Sequence, residues 1–276
     1  MGLFSGKECS FCGKQSGVLS NRKLVDGNIC RECRLRLSPF YYLTKGDKAA
    51  DIAAQLEYRE RNLAELDGFR PTVAVGGEGK VYIDMQMGKF ALAREEELRE
   101  ENPDLFSLSG LRSCEFYVRE NYVKGDENER SRYVYQFFLR VQTDHPFIRS
   151  FSYDYSGITV SSTHRIKDEE IRQVYLGQRG IKTGVSAFFS GVNRRAFESY
   201  LEQYALAQNM IAALNGAAEA FRGGSAFRQA AGPTAQPIRQ QPEVPLDRQP
   251  SAANFCPSCG VRLSVGAFCP NCGKRL

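Results

Sequence analysis

Residues 9–33 read CSFCGKQSGVLSNRKLVDGNICREC. Two C-x-x-C pairs, Cys9 with Cys12 and Cys30 with Cys33, stand seventeen residues apart. A C-x-x-C turn points two sulfurs at one spot, and two such turns close a tetrahedral four-thiolate site that suits zinc at about 2.3 Å per bond. Between the pairs, Asp26-Gly27 is a two-residue hairpin signal flanked by Leu24-Val25 and Ile29. After Cys33 the string RLRLSPF predicts a short helical turn ended near Pro39. Knuckle, hairpin, second knuckle and helix is the order of a treble-clef zinc finger. Phe11, Leu19, Leu24, Ile29 and Leu35 are its expected small core.

The same chemistry recurs at the other end. Cys256, Cys259, Cys269 and Cys272 lie in FCPSCG and FCPNCG, two copies of one knuckle nine residues apart. The glycine after each second cysteine lets the chain turn so that backbone N–H groups aim at sulfur. Eight of nine cysteines are thus in pairs, and Cys114 is left over. A redox dithiol would want one pair beside a βαβ pattern rather than two pairs per module. Two structural zinc ions, one per four-cysteine site, are the expected cofactors; iron suits four thiolates as well. Neither module has the apolar mass to fold unaided, and zinc supplies roughly 10–16 kcal/mol of apparent binding energy to such a domain.

The chain of 276 residues is 42% hydrophobic and 25% charged, with no tryptophan, an ordinary globular composition. No run approaches the roughly 20 apolar residues of a spanning helix. The start, MGLFSGKECS, has no apolar signal region, and Gly6 stands where myristoylation wants Ser or Thr. The expectation is a cytoplasmic protein with no transmembrane segment.

Residues 1–45 form the expected finger and 46–70 a connecting amphipathic helix, with Ile52, Leu56, Leu63 and Leu66 at helical spacing, a charged solvated face, and a stop at Gly68 and Pro71. From 71 the period becomes two. KVYIDMQ and KFALARE predict a hairpin across Met87-Gly88; LRSCEFYVRE, RYVYQFFLRVQTD, IRSFSYDYS and GITVSST predict four more strands, with KGDENERSR a charged loop. Cys114 shares the inward parity of Phe116 and Val118. Residues 165–179 read as a charged helix and 180–195 as a loop. From Arg194 a long helix follows, with Phe197, Tyr200, Leu201, Tyr204, Ile211, Leu214 and Ala218 on one stripe. The fold class is α+β: residues 71–222 are expected to make an antiparallel strand-rich domain, pleckstrin-homology-like, capped by its C-terminal helix; an α+β sheet under one helix is the alternative. Residues 223–254, with five prolines and no apolar period, read as a disordered linker to a zinc ribbon at 255–276.

Charge divides by region. Residues 1–45 carry eight Lys/Arg against three Asp/Glu, residues 222–276 seven against two, and the whole chain is +5, so the stretch between is net −5. Basic zinc-bearing ends could touch nucleic acid or anionic lipid, dock on the acidic middle of their own chain, or be simply solvated. There is no long basic run and no aromatic set spaced for base stacking. Gly76-Gly77-Glu78-Gly79-Lys80 superficially suggests a phosphate loop, but Val81 follows the lysine and opens a strand, so a tight turn is expected. His145 and His164 lack a nucleophile partner at motif spacing, and no hydrolase, zincin or kinase signature occurs. A carboxylate pair assembled by the fold is left open.

CSFCGK, LSNRKLVDGNICREC, LSPFYY and IAAQLEYRERN together resemble the bacterial family named domain of unknown function 4428, over roughly residues 7–66. The resemblance implies Cys9, Cys12, Cys30 and Cys33 as metal ligands and a following strand-rich domain similar to pleckstrin-homology or GRAM folds; VQTDHPFIRSFSY resembles its late strands, and residues 165–193 depart from a simple version of it. The tail from Phe255 is similar to short zinc ribbons appended to many bacterial proteins. The family implies no activity. The expectation is a non-enzymatic zinc-binding adaptor or regulator acting on protein partners or anionic lipid head groups. The alternative is a nucleic-acid-binding regulator using the two basic zinc modules.

Overall fold

A computed structural model describes residues 7–17, 20–127, 129–177 and 191–230. Leu19, the four cysteines Cys256, Cys259, Cys269 and Cys272, and most of the expected loop at 180–195 and linker at 223–254 lie outside the described residues.

The chain begins with two miniature hairpins, β1 (Lys7–Glu8) with β2 (Gln15–Ser16) and β3 (Arg22–Lys23) with β4 (Asn28–Ile29), followed by α1 (Arg31–Leu35). The Asp26-Gly27 turn forms as its sequence predicts, closed by Leu24 N–H to Gly27 O at 2.9 Å. Its Asp26 carboxylate also accepts the Ala49 N–H at 2.7 Å, so the hairpin caps the start of the next helix, α2 (Ala49–Leu66). Cys9, Leu24, Ile29, Cys30 and Cys33 pack with Leu37 from the loop and Ile52 and Leu56 from α2. Leu35 is not part of this core: it is exposed, because Cys33 takes the inward face of a five-residue helix and Leu37 fills the apolar place beyond it.

The inward face of α2 is Ile52, Gln55, Leu56, Arg59 and Asn62, a stripe at helical spacing that is more polar than apolar. Leu63, expected inside, is exposed. The face expected to be merely solvated therefore supplies a buried arginine and a buried asparagine.

Two antiparallel sheets follow. The first is a four-stranded meander of β5 (Val73–Gly76), β6 (Gly79–Asp84), β7 (Lys89–Arg94) and β8 (Phe106–Ser107), with α3 (Glu95–Glu100) between β7 and β8. The Gly76–Lys80 stretch is the β5–β6 turn, and the β6–β7 hairpin spans Met87-Gly88. Both faces of β6 and β7 are buried. Val81, Ile83, Phe90 and Leu92 face the main core, while Tyr82, Ala91 and Ala93 face Phe69 and Leu105.

The second sheet is β9 (Leu111–Val123), β10 (Arg132–Thr143) and β11 (Ser150–Ser162), in the order β11-β10-β9. The sequence predicts two strands where β11 is one. The chain bends within it: Asp154 Oδ1 accepts the N–H groups of Ser156 and Gly157, both at 3.2 Å, and Gly157 takes φ +62°. The register against β10 shifts there, between Gln136 and Phe138, which is a bulge and not a strand end. Cys114 is buried with the inward parity expected of it, and burial first, then Glu115, pushes its thiol up to about 12.

α4 (Asp168–Tyr175) precedes α5 (Gly191–Ala230), which packs on β9, β11, β5 and β6 and so touches both sheets. α5 starts three residues ahead of Arg194 and runs beyond Arg222. Its early start is fixed by Asn193, whose Oδ1 accepts from Ser162 Oγ and the Thr163 N–H, each at 3.0 Å. Phe197, Tyr200, Tyr204, Ala207, Met210, Leu214 and Ala218 are buried; Leu201 and Ile211 flank them half-buried. Three tyrosines hold polar ends within this apolar core. Tyr155 donates to Gln203 O at 2.8 Å, Tyr135 accepts the Ile166 N–H at 2.7 Å, and Tyr200 donates to Asp168. Among the described residues, no helix is long and apolar enough to cross a membrane.

Candidate metal centre

Cys9 leaves β1 and Cys12 sits in the β1–β2 turn, which Gly13 closes at φ +69° with its N–H on Cys9 O at 3.0 Å. Cys30 ends β4 as the N-cap residue of α1, and Cys33 lies inside that helix. The two hairpins are clamped by Ser10: its N–H donates to Asn28 O at 2.9 Å, and its hydroxyl accepts the Asn28 N–H at 3.1 Å. A Cβ at Gly27 would stand 2.6 Å from Ser10 Oγ, so a side chain there would push the Ser10 hydroxyl out of this clamp.

The result is convergence. The sulfurs of Cys9, Cys12, Cys30 and Cys33 all lie within 4.8 Å of one another, and Cys12 and Cys30 are 3.7 Å apart. A tetrahedron with bonds of about 2.3 Å has edges of about 3.8 Å. Backbone donors already point at the sulfurs: the Cys30 N–H at Cys9 Sγ (3.3 Å) and the Cys33 N–H at Cys30 Sγ (3.4 Å). Cys9, Cys30 and Cys33 are buried and Cys12 is exposed, so one edge of the cluster meets the surface, beside the Lys14–Glu32 ion pair at 2.6 Å.

Four thiols this close cannot all ionise by themselves. Burial alone would raise Cys9, but the N–H groups aimed at it, that of Cys30 foremost, bring it down to about 6. Cys33 goes the other way, raised by burial and then by its thiol neighbours. At Cys12 the Lys14 N–H lowers the thiol, yet desolvation and the contacts with Cys9 and Cys30 carry it upward. A cation that takes four soft ligands resolves this competition, and the residues fit zinc: four thiolates, tetrahedral spacing and directed N–H groups. With four ligands from the chain, no position is left for a reactive water.

Of the eight expected ligands, the structure brings these four together. The other four lie outside the described residues. Neither histidine joins the cluster. His145 Nδ1 accepts the N–H groups of Phe147 (3.3 Å) and Ile148 (3.2 Å), and His164 Nδ1 is 2.8 Å from Asn193 Nδ2. Lys80 of the glycine-rich turn pairs with Glu95 at 3.3 Å, and strand β6 follows it.

Sequence reasoning missed how the cysteine module is held to the rest of the chain. Ser38, five residues after Cys33, donates its N–H to Gln55 Oε1 at 3.4 Å and its hydroxyl to Asp104 Oδ2 at 2.6 Å. Asp104 also accepts from Tyr58 Oη (2.9 Å) and Arg59 Nη1 (2.8 Å). Arg59 donates further to Asn102 O, and Asn62 binds Pro103 O (2.7 Å) and the Leu105 N–H (2.8 Å). The available signal was the polar triplet Gln55, Arg59 and Asn62 sharing a helix face with Ile52 and Leu56.

No curated protein and no solved structure matches the chain. Residues 7–55, which span both hairpins, α1 and the first turns of α2, match the model of the family described as Domain of unknown function (DUF4428).

Proposed function

We infer that the chain is a non-enzymatic, zinc-stabilised adaptor of the bacterial cytoplasm, whose metal modules display surfaces for a protein partner. The observation that carries this reading is the closed sulfur cluster: Cys9, Cys12, Cys30 and Cys33 converge within 4.8 Å and leave a metal no open position, so the metal is a strut. The order of hairpin, hairpin and helix around it supports a treble-clef finger. A four-stranded antiparallel sheet, a three-stranded one and a helix packed on both support a pleckstrin-homology-like middle domain. The repeated FCPSCG and FCPNCG knuckles support a second zinc ion in a ribbon at 255–276.

A native-size measurement on cell extract tests the reading. An adaptor runs in a complex larger than its own 31.0 kDa, with two zinc ions per chain, and the complex survives nuclease. A chain that runs alone would sink the reading. A complex that dissolves under nuclease, and whose affinity for DNA or RNA falls steeply with salt, would instead favour the nucleic-acid regulator suggested by the +5 charge of residues 1–45.

A further inference from the structure

Two leucines that the sequence pattern assigns to a core, Leu35 and Leu63, are 71% and 54% exposed. Both line one cleft of about 730 Å³, between the chain after α1, one flank of α2 and the α3–β8 connection. That volume is in the range of sites that seat a ligand, and exposed apolar side chains gathered at one place mark interaction surfaces more often than scattered ones do.

The charges around the cleft are uneven. Arg31 and Arg34 stand on the solvent side of α1, and neither has a carboxylate partner among the described residues. Arg34 lines the cleft; Arg31 lines an adjoining hollow of about 380 Å³ that shares Leu35. Arg36 and Glu60 of the cleft are paired with each other at 2.9 Å, Arg59 with Asp104 at 2.8 Å, and Lys14 and Glu32 of the adjoining hollow with each other at 2.6 Å, while the far wall carries Glu97 and Glu101. A polyanion lying along the cleft would meet those two carboxylates and leave the leucines uncovered. A chain with carboxylates at one end and aliphatic side chains after them matches the whole surface.

We propose that this cleft docks a short acidic–aliphatic segment of a partner protein, its carboxylates over Arg31 and Arg34 and its aliphatic side chains against Leu35 and Leu63. The proposal rests on the adaptor reading and gives that adaptor's partner a chemistry. The Glu97–Glu101 wall fixes polarity, since it repels acidic residues placed at the aliphatic end of the segment.

Three fluorescent peptides test it on the zinc-loaded full chain: one of Asp/Glu with Leu, one of Lys with Leu, and one of Asp/Glu with Ser. The first binds and the others do not. Leu35→Ser combined with Leu63→Ser weakens binding at least about tenfold, the scale of losing buried anchors. Arg31→Glu combined with Arg34→Glu moves the preference to the Lys–Leu peptide. All four positions are exposed, so the variants keep the fold, which their zinc content verifies. Unchanged affinity in the leucine pair, or no binding of the Asp/Glu–Leu peptide, overturns the proposal. So does a concentration-dependent dimer abolished by the leucine pair, which would make a second copy the occupant. If the nuclease-resistant complex in extract persists in the leucine pair, only the cleft assignment is wrong; if the unmodified chain forms no such complex, the adaptor reading itself fails.

Discussion

Arg59 and Asp104, forty-five residues apart, meet at 2.8 Å where the arginine side chain is 10% exposed and the aspartate 0%. Three further bonds surround the contact, from Ser38 and Tyr58 to Asp104 and from Arg59 to Asn102 O. The pair therefore ties α2, the chain leaving the cysteine module and the connection between α3 and β8 into one seam. Removing one partner of a buried pair leaves an uncompensated charge, at a cost of about 3–5 kcal/mol. Asp104→Ala is expected to lose that much in urea unfolding. Arg59→Met combined with Asp104→Leu should recover a good part of the loss, since replacing both charges by apolar groups is often close to neutral. A single variant that unfolds at the unmodified midpoint would mean that the seam adds no stability.

That seam is also where legibility in the sequence stops. The sulfur cluster was readable because C-x-x-C spacing fixes local geometry, and the Asp26-Gly27 turn because its backbone needs are local as well. The β6–β7 hairpin and the stripe Phe197, Tyr200, Tyr204 and Leu214 followed from their periods. Asp104 lies in the loop string ENPDLF, which has no period to read; its meaning arises only when α2 is laid against it. The bulge at Gly157 reads as a strand break in the sequence because glycine marks both, and Asp154, which holds the bend, lies three residues away. Leu35 and Leu63 read as core residues because apolar spacing alone cannot tell an inward position from an exposed one.

Chelation should separate the two halves of the fold. The cysteine module has Leu24, Ile29, Leu37, Ile52 and Leu56 as its largest buried aliphatic residues, whereas the sheets share an extensive aromatic core. A structural zinc supplies roughly 10–16 kcal/mol to such a module. With chelator, amide hydrogen exchange across Arg22–Leu37 should rise by orders of magnitude while β9–β11 stay protected. Cys30→Ala should act like the chelator, because Cys30 is both a cluster member and the cap of α1. Equal protection of Arg22–Leu37 with and without metal would refute the strut.

His145 sets an acid limit. It packs edge-on against Tyr58 at 4.5 Å and Phe106 at 5.6 Å, and its Nδ1 accepts two backbone N–H groups. Burial holds its pKa below the ordinary 6.5, with Asp104 pulling it up and Lys89 pushing it down by lesser amounts. The unfolded chain therefore takes the proton first. Stability is whole above about 6.5 and declines as pH falls through the window between that value and the folded pKa. Protonation also removes the acceptor that the Phe147 and Ile148 N–H groups use. His145→Gln should flatten the decline over this window; a variant whose unfolding midpoint follows pH as steeply as the unmodified chain would assign the acid sensitivity elsewhere.

Two glycines should respond to alanine with opposite signs. At Gly79 a Cβ would stand 2.8 Å from Tyr155 Cα and 2.7 Å from Tyr153 Oη. The first neighbour is backbone and cannot swing aside, so β11 would have to move off β6. Overpacking of this kind costs about 1–3 kcal/mol. Gly216 lies in α5, exposed, with no neighbour within 4 Å of a Cβ. There the only change is lost unfolded-state freedom and better helix propensity, a gain of about 0.5–1 kcal/mol. Thermal unfolding should show Gly79→Ala melting below the unmodified chain and Gly216→Ala above it. Were both to melt lower, α5 would need a close neighbour at Gly216; were both to melt higher, the β6–β11 contact would not be as tight as the Tyr155 distance requires.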